Sequence, residues 1–158
     1  MRTAFLSLLF VLAVTATAQA RLGETPDQLV ARYGQPLSEA DQKAEGIKVA
    51  LAAVVFQKNG IEIDVTVTDG VSVQELFKKI NGQPMTLAEV RTLLNANSQG
   101  LEWEAPQQTQ DGGKLWKRDD NATAFAGSDG ALTIKSRTLA VTEAVAKKVE
   151  KSPNLDGF

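Results

Sequence analysis

The stretch that decides the fold is Lys58-Asn59-Gly60-Ile61-Glu62-Ile63-Asp64-Val65-Thr66-Val67-Thr68-Asp69-Gly70. Ile61, Ile63, Val65 and Val67 alternate with Glu62, Asp64, Thr66 and Thr68, the period-two pattern of a strand with one buried and one wet face. Asn-Gly before it and Asp-Gly after it are two-residue hairpin signals, because a type I′ turn needs positive φ at both central positions. A strand framed by two such turns requires an antiparallel neighbour on each side. Upstream, residues 48–58 supply an apolar run bounded by lysines. It places Ala50, Ala52, Val54 and Phe56 on one strand face and Val49, Leu51, Ala53 and Val55 on the other. Downstream, residues 71–80 carry two patterns. Val73, Leu76, Phe77 and Ile80 have helical spacing, and Ser72 with Glu75 fits a capping box. Against that, Val71, Val73 and Phe77 alternate and leave a hairpin turn directly after a strand. The reading adopted is a third antiparallel strand.

Outward from this meander, helix boundaries are written in the capping residues. Thr25-Pro26-Asp27-Gln28 places an N-cap Thr, Pro at the first helical position and Gln at the third, and Gly34 with Pro36 ends the segment. A helix over residues 26–33 follows, with Leu29, Val30 and Tyr33 as its apolar face. Thr86-Leu87-Ala88-Glu89 is a second capping box, with Met85 and Val90 as the hydrophobic staple. Its helix buries Val90, Leu93 and Leu94 and ends near Asn97. Short strands are then expected at residues 101–105, 114–118, 123–126 and 132–135, the last two joined by Ser128-Asp129-Gly130. Val141, Ala144, Val145 and Val149 space a third helix, and residues 38–46 form a polar loop. The class is α+β: short capped helices on an antiparallel strand meander, in two halves that each run helix first and strands after.

The chain has 158 residues, with 17 Lys plus Arg against 19 Asp plus Glu, and neither Cys nor His. The missing cysteine excludes a disulfide scaffold, a thiol nucleophile and an acylated cysteine anchor. The missing histidine removes the imidazole base and the usual zinc ligand sets. No cofactor and no metal are expected. Residues 1–20 have the order of a secretory leader: Arg2, an apolar run from Phe5 to Val14, then Ala18-Gln19-Ala20 as an A-x-A cleavage site. That run is too short for a transmembrane anchor, which needs about 20 residues. Cleavage would leave a domain over residues 21–151 with a tail over 152–158, in the periplasm or outside the cell. With Arg2 gone, 16 basic residues face 19 acidic ones, a net charge of −3. Nucleic acid is a poor partner for such a chain, since non-specific binding needs a basic footprint.

The opening Gly23-Glu24-Thr25-Pro26-Asp27-Gln28-Leu29-Val30-Ala31-Arg32-Tyr33-Gly34-Gln35-Pro36 resembles the start of the small periplasmic SmpA/OmlA-like domains of bacterial envelopes. Those domains open with a similar capped helix ending in G-x-P and continue into a strand meander. Residues 77–97, with Trp103 and Trp116-Lys117-Arg118-Asp119, are similar to uncharacterised secreted bacterial proteins. The resemblance implies an envelope setting. It carries over no binding residue, and the chain lacks the lipobox cysteine of the lipoprotein members.

Candidate sites are weighed against plainer readings. Asp119-Asp120-Asn121 groups oxygen ligands suited to a hard cation, but lacks the glycine and distal glutamate of an EF-hand loop and reads better as a turn. Glu102 and Glu104 flank Trp103, as a carboxylate hydrolase of glycosides would need, yet same-face acids on a wet strand are commoner. Gly127-Ser128-Asp129-Gly130 lacks the G-x-S-x-G pattern and is a turn. Lys114, Trp116 and Arg118 form the candidate partner-binding set. The competing reading puts Trp116, with Trp103, in the core against Val90, Leu93 and Leu94. The expected function is an exported, non-enzymatic envelope protein that serves as a protein-interaction or structural module for an unidentified envelope partner. The alternatives are an inhibitor of a secreted enzyme and a carboxylate-dependent hydrolase.

Overall fold

A computed structural model of the chain describes residues 21–38 and 53–139. The expected leader, the polar loop beyond Ser38, the first five residues of the apolar run, the third helix and the tail lie outside the described residues. The element order is α1 (Pro26–Tyr33), β1 (Ala53–Lys58), β2 (Ile61–Thr68), β3 (Val71–Lys79), α2 (Leu87–Ala96), β4 (Gln107–Gln108), β5 (Lys114–Lys117), β6 (Thr123–Ala126) and β7 (Leu132–Lys135). The seven strands form one antiparallel sheet in the order β1-β2-β3-β7-β6-β5-β4. The architecture is α+β, as the capping and strand signals require. Among the described residues no helix is long and apolar enough to cross a membrane.

The turns carry the topology. Asn59 and Gly60 have φ of 52° and 77°, and Asp69 and Gly70 have 51° and 80°, so both hairpins use the left-handed pair that their sequences favour. β3 begins immediately after the second turn and is a strand throughout. A bulge opposite Thr66 and Val67 makes Val73 the extra residue and lets Ser72 and Val73 both become buried. Both helices start at complete capping boxes, on Thr25 with Gln28 and on Thr86 with Glu89. Each half runs helix then meander, and the last strands of the two halves, β3 and β7, pair at the centre from Gln74↔Lys135 to Phe77↔Leu132.

One face of this sheet holds the core. Register places Val54, Val65, Glu75, Ile134, Ala124 and Trp116 in a single row across six strands. Phe56, Ile63, Phe77 and Leu132 make the next row. Leu29 and Tyr33 of α1 and Val90 and Leu94 of α2 join these side chains in one cluster. The N-terminal segment is laced to β3, where Gly23 N donates to Ser72 O at 2.7 Å and Ser72 N donates to Glu24 O at 2.8 Å.

Two expectations are corrected. Residues 101–105 are not a strand, and only a single bridge joins Trp103 to Arg118. The alternation fails because Leu101 and Ala105 stay exposed while the Trp103 indole turns inward, Nε1 donating to Leu94 O at 2.8 Å. The outward face of β2 is also less wet than its alternation suggests. Asp64 is buried there beside Val55, its cross-strand partner, and is paired with Lys78 at 2.9 Å.

Candidate functional site

Two features stand out under the helices: a buried polar network and an open cleft. Glu75 sits in the inward phase of β3 between Val65 and Ile134, with 0% of its surface exposed. Tyr33 Oη donates to its Oε2 at 3.2 Å, and Asn97 Nδ2, from the C-cap of α2, donates to the same oxygen at 3.5 Å. Burial drives the Glu75 carboxyl above its ordinary range, and the donors Asn97 and Tyr33 and the positive Arg32 only partly offset this. Burial, together with the neighbouring Glu75, likewise raises the Tyr33 phenol. Glu75 Oε1 and Asn97 Oδ1 have no hydrogen-bond partner. Burial favours the neutral form of the Glu75 carboxyl.

The network continues on both sides. Arg32 pairs with Glu24 and lies over the Tyr33 ring with its guanidinium carbon 5.7 Å from the centroid. Asn97 O accepts from Arg118 Nη1. Arg118 also donates from Nε and Nη2 to the two carboxylate oxygens of Asp120 at 2.8 and 2.7 Å, and stacks on Trp103 at 5.3 Å. Arg118 hydrogen bonding holds Asp120 below the usual carboxylate range. A perturbed carboxyl is a common mark of catalysis, but ion-pair networks in the interior produce the same mark. Here the carboxyl has no exposed surface on which a substrate could act.

The cleft has a volume of about 280 Å³ and opens between the C-terminal turns of α1 and α2 beside the β1–β2 hairpin. Ile61, Ile63, Phe77, Leu93 and Ala96 give it apolar walls, and Arg32, Lys58, Asn59 and Thr92 give it hydrogen-bonding groups, with Tyr33 between. The sequence builds it simply. Ile61 continues the inward face of β2 past the end of the short α1, and Leu93 and Ala96 of α2 flank it without closing over it. This volume is near the lower end for small-molecule sites, which begin at roughly 300 Å³.

The residues singled out from sequence go elsewhere. Trp116 on β5 and Arg118 just past its end face inward, 5% and 3% exposed, and Lys114 precedes them half-buried. The surface of Trp116 and Arg118 is used inside the fold. Trp116 shares the cluster of Val90 and Leu94, and Trp103 packs against that cluster with Leu93. Asp120 is committed to Arg118 and to Ala122 N, which donates to it at 3.1 Å, in a turn where Asn121 has φ 66°. Glu102 and Glu104 are exposed and belong to no strand. Gly127 to Gly130 is a turn closed by Gly130 N donating to Gly127 O at 3.1 Å. No family model, curated protein or solved structure matches the chain.

Sequence reasoning missed both Glu75 and the cleft. Glu75 had a signal: it lies two residues from Phe77 in the inward phase of a strand. The cleft had none, because its lining comes from α1, both strands of a hairpin, β3 and α2.

Proposed function

We propose that this chain is an exported, non-enzymatic binding module of the bacterial envelope, and that it works through the cleft between α1, α2 and the β1–β2 hairpin. The observation that carries the reading is the pairing of an apolar, concave surface with hydrogen-bonding groups around it, the usual composition of a ligand site. The leader pattern of residues 1–20 and the resemblance of residues 23–36 to SmpA/OmlA-like domains support the envelope setting. The closed network around Glu75 supports a binding role over catalysis, because its buried carboxyl anchors Tyr33 and Asn97 and meets no solvent.

The test is photo-crosslinking in living cells, with a benzophenone amino acid at Thr92 beside the cleft or at Asp111 in a distant exposed turn. Adducts formed from Thr92 and absent from Asp111 are expected. Equal labelling from both positions, or none from Thr92, would remove the cleft from consideration. Intact mass of the protein in the periplasmic or culture fraction should begin at Arg21.

A further inference from the structure

We infer that the cleft takes a small amphipathic carboxylate, with its apolar body over Ile61, Leu93 and Ala96 and its charged head at Lys58. The inference rests on reading the cleft as the binding surface and names what that surface holds. The protein is acidic overall, at −2, yet the residues lining the cleft include no carboxylate and two cations, Lys58 and Arg32, the second already paired with Glu24. This local reversal matters at short range, where a head group in contact with the protein is only weakly screened.

The donors are available. Lys58 is exposed at the end of β1, and its ammonium donates to one acceptor, Arg32 O at the end of α1. An ammonium carries three donors, so two remain for a head group. Arg32 gives one guanidinium nitrogen to Glu24, while its Nε and Nη1 are buried without a hydrogen-bond partner. Its side chain is 10% exposed, a setting in which an unpaired donor is costly. Arg32 stands behind the head group as a charge and not as a fork, because both two-pronged faces of a guanidinium include Nη2, which Glu24 holds. The carbonyl end of α1 would repel an anion on its own. That end is already answered by Lys58 and by Gly34 N, which donates to Val30 O at 2.9 Å.

The apolar part has a place as well. Ile61, Ile63, Phe77, Leu93 and Ala96 provide walls without a buried polar atom to desolvate, and Asn59 and Thr92 mark the polar mouth. Because the cavity is small, a single short chain or one ring fits it better than a two-chain lipid.

The experiment is calorimetric titration of the mature protein with decanoate below its micellar concentration. The comparison ligands share the decyl chain: decanol, neutral, and decyltrimethylammonium, cationic. Decanoate should bind one to one, and at least about tenfold more tightly than either comparison ligand. Lys58→Ala should weaken decanoate about tenfold and leave decanol unchanged. Ala96→Phe should fill the cleft and abolish binding of both. If Ala96→Phe does not fold by circular dichroism, Thr92→Trp takes its place. Equal affinity for the cationic ligand, or no effect of Lys58→Ala, would overturn the head-group assignment. Decanoate binding that survives the filled cleft would overturn the location. Capture by phosphatidylglycerol vesicles that survives the filled cleft, with no binding of free decanoate, would replace the small ligand by a membrane surface. Absence of decanoate binding together with Thr92 crosslinks would refute the ligand class and leave the cleft as a binding surface for something else.

Discussion

Glu75→Gln is expected to raise stability at neutral and alkaline pH, an unusual outcome for a substitution at a fully buried polar position. The reason lies in the state of the carboxyl. Glu75 stands between Val65 and Ile134, accepts from Tyr33 and Asn97, and titrates above its ordinary value of 4.5 because burial disfavours the charged form. The folded protein therefore binds one more proton than the unfolded chain between the unfolded and folded pKa values. Stability falls as pH rises through that window and is flat above it. Each unit of upward shift corresponds to ~1.4 kcal/mol lost by the time the folded group has ionised. Glutamine keeps an acceptor for Tyr33 and Asn97, adds a permanent donor facing the unpartnered side, and cannot ionise. Urea denaturation followed by tryptophan fluorescence, with Trp116 buried in the same row, measures this directly. The two proteins should have similar midpoints near pH 4, and the variant should gain as pH rises from there until the folded carboxyl has ionised. Glu75→Ala should be less stable than either at every pH, since it strands Tyr33 and Asn97 at a cost of about 1–3 kcal/mol. Parallel curves for wild type and Glu75→Gln, or a wild type that gains on the variant as pH rises, would show that Glu75 is ionised in the fold and refute the reasoning.

Other outcomes follow from the same contacts. Thr25→Ala and Thr86→Ala should each cost about 0.5–2 kcal/mol by chemical denaturation, since each removes the side-chain acceptor of a complete capping box. Gly130→Ala should destabilise by much more than Gly112→Ala. Both positions have positive φ, at 79° and 83°, but a Cβ at Gly130 would lie 2.2 Å from Pro84 Cα, while the space at Gly112 is open. The φ cost alone is ~1–3 kcal/mol, and melting temperatures of the two variants separate it from the clash. Asp120→Asn should flatten the acid limb of the stability curve. The Asp120 carboxyl titrates below its ordinary 3.8, so its contribution is present above that value and lost as pH falls through the folded one. A wild-type acid limb unchanged in the variant would contradict this.

The sheet was legible because its signals are local. Asn59-Gly60 and Asp69-Gly70 fix two hairpins, and the strict alternation of Ile61 to Thr68 fixes the strand between them. The two capping boxes set the starts of both helices, since an N-cap threonine and its partner three residues on satisfy each other without tertiary help. Residues 101–105 misled for a physical reason: their alternation was real, but the Trp103 indole is held by Leu94 O and Arg118 and the segment makes one bridge in place of a strand ladder. The partner-binding set Lys114, Trp116 and Arg118 was drawn from residue type, and type does not reveal that a guanidinium will be enclosed by Asn97, Asp120 and Trp103. The cleft depends on where α1 stops relative to β2 and β3, a distance no local pattern encodes.

The most direct test of the cleft is a nitrogen-15 correlation spectrum of the labelled mature protein, recorded while decanoate is added. Shifts should concentrate at residues 58–63 and 92–96, with the amides of β4, β5 and the turn at Asp111 unmoved. Shifts centred on the β4–β5 edge, or spread evenly over the sheet, would contradict it.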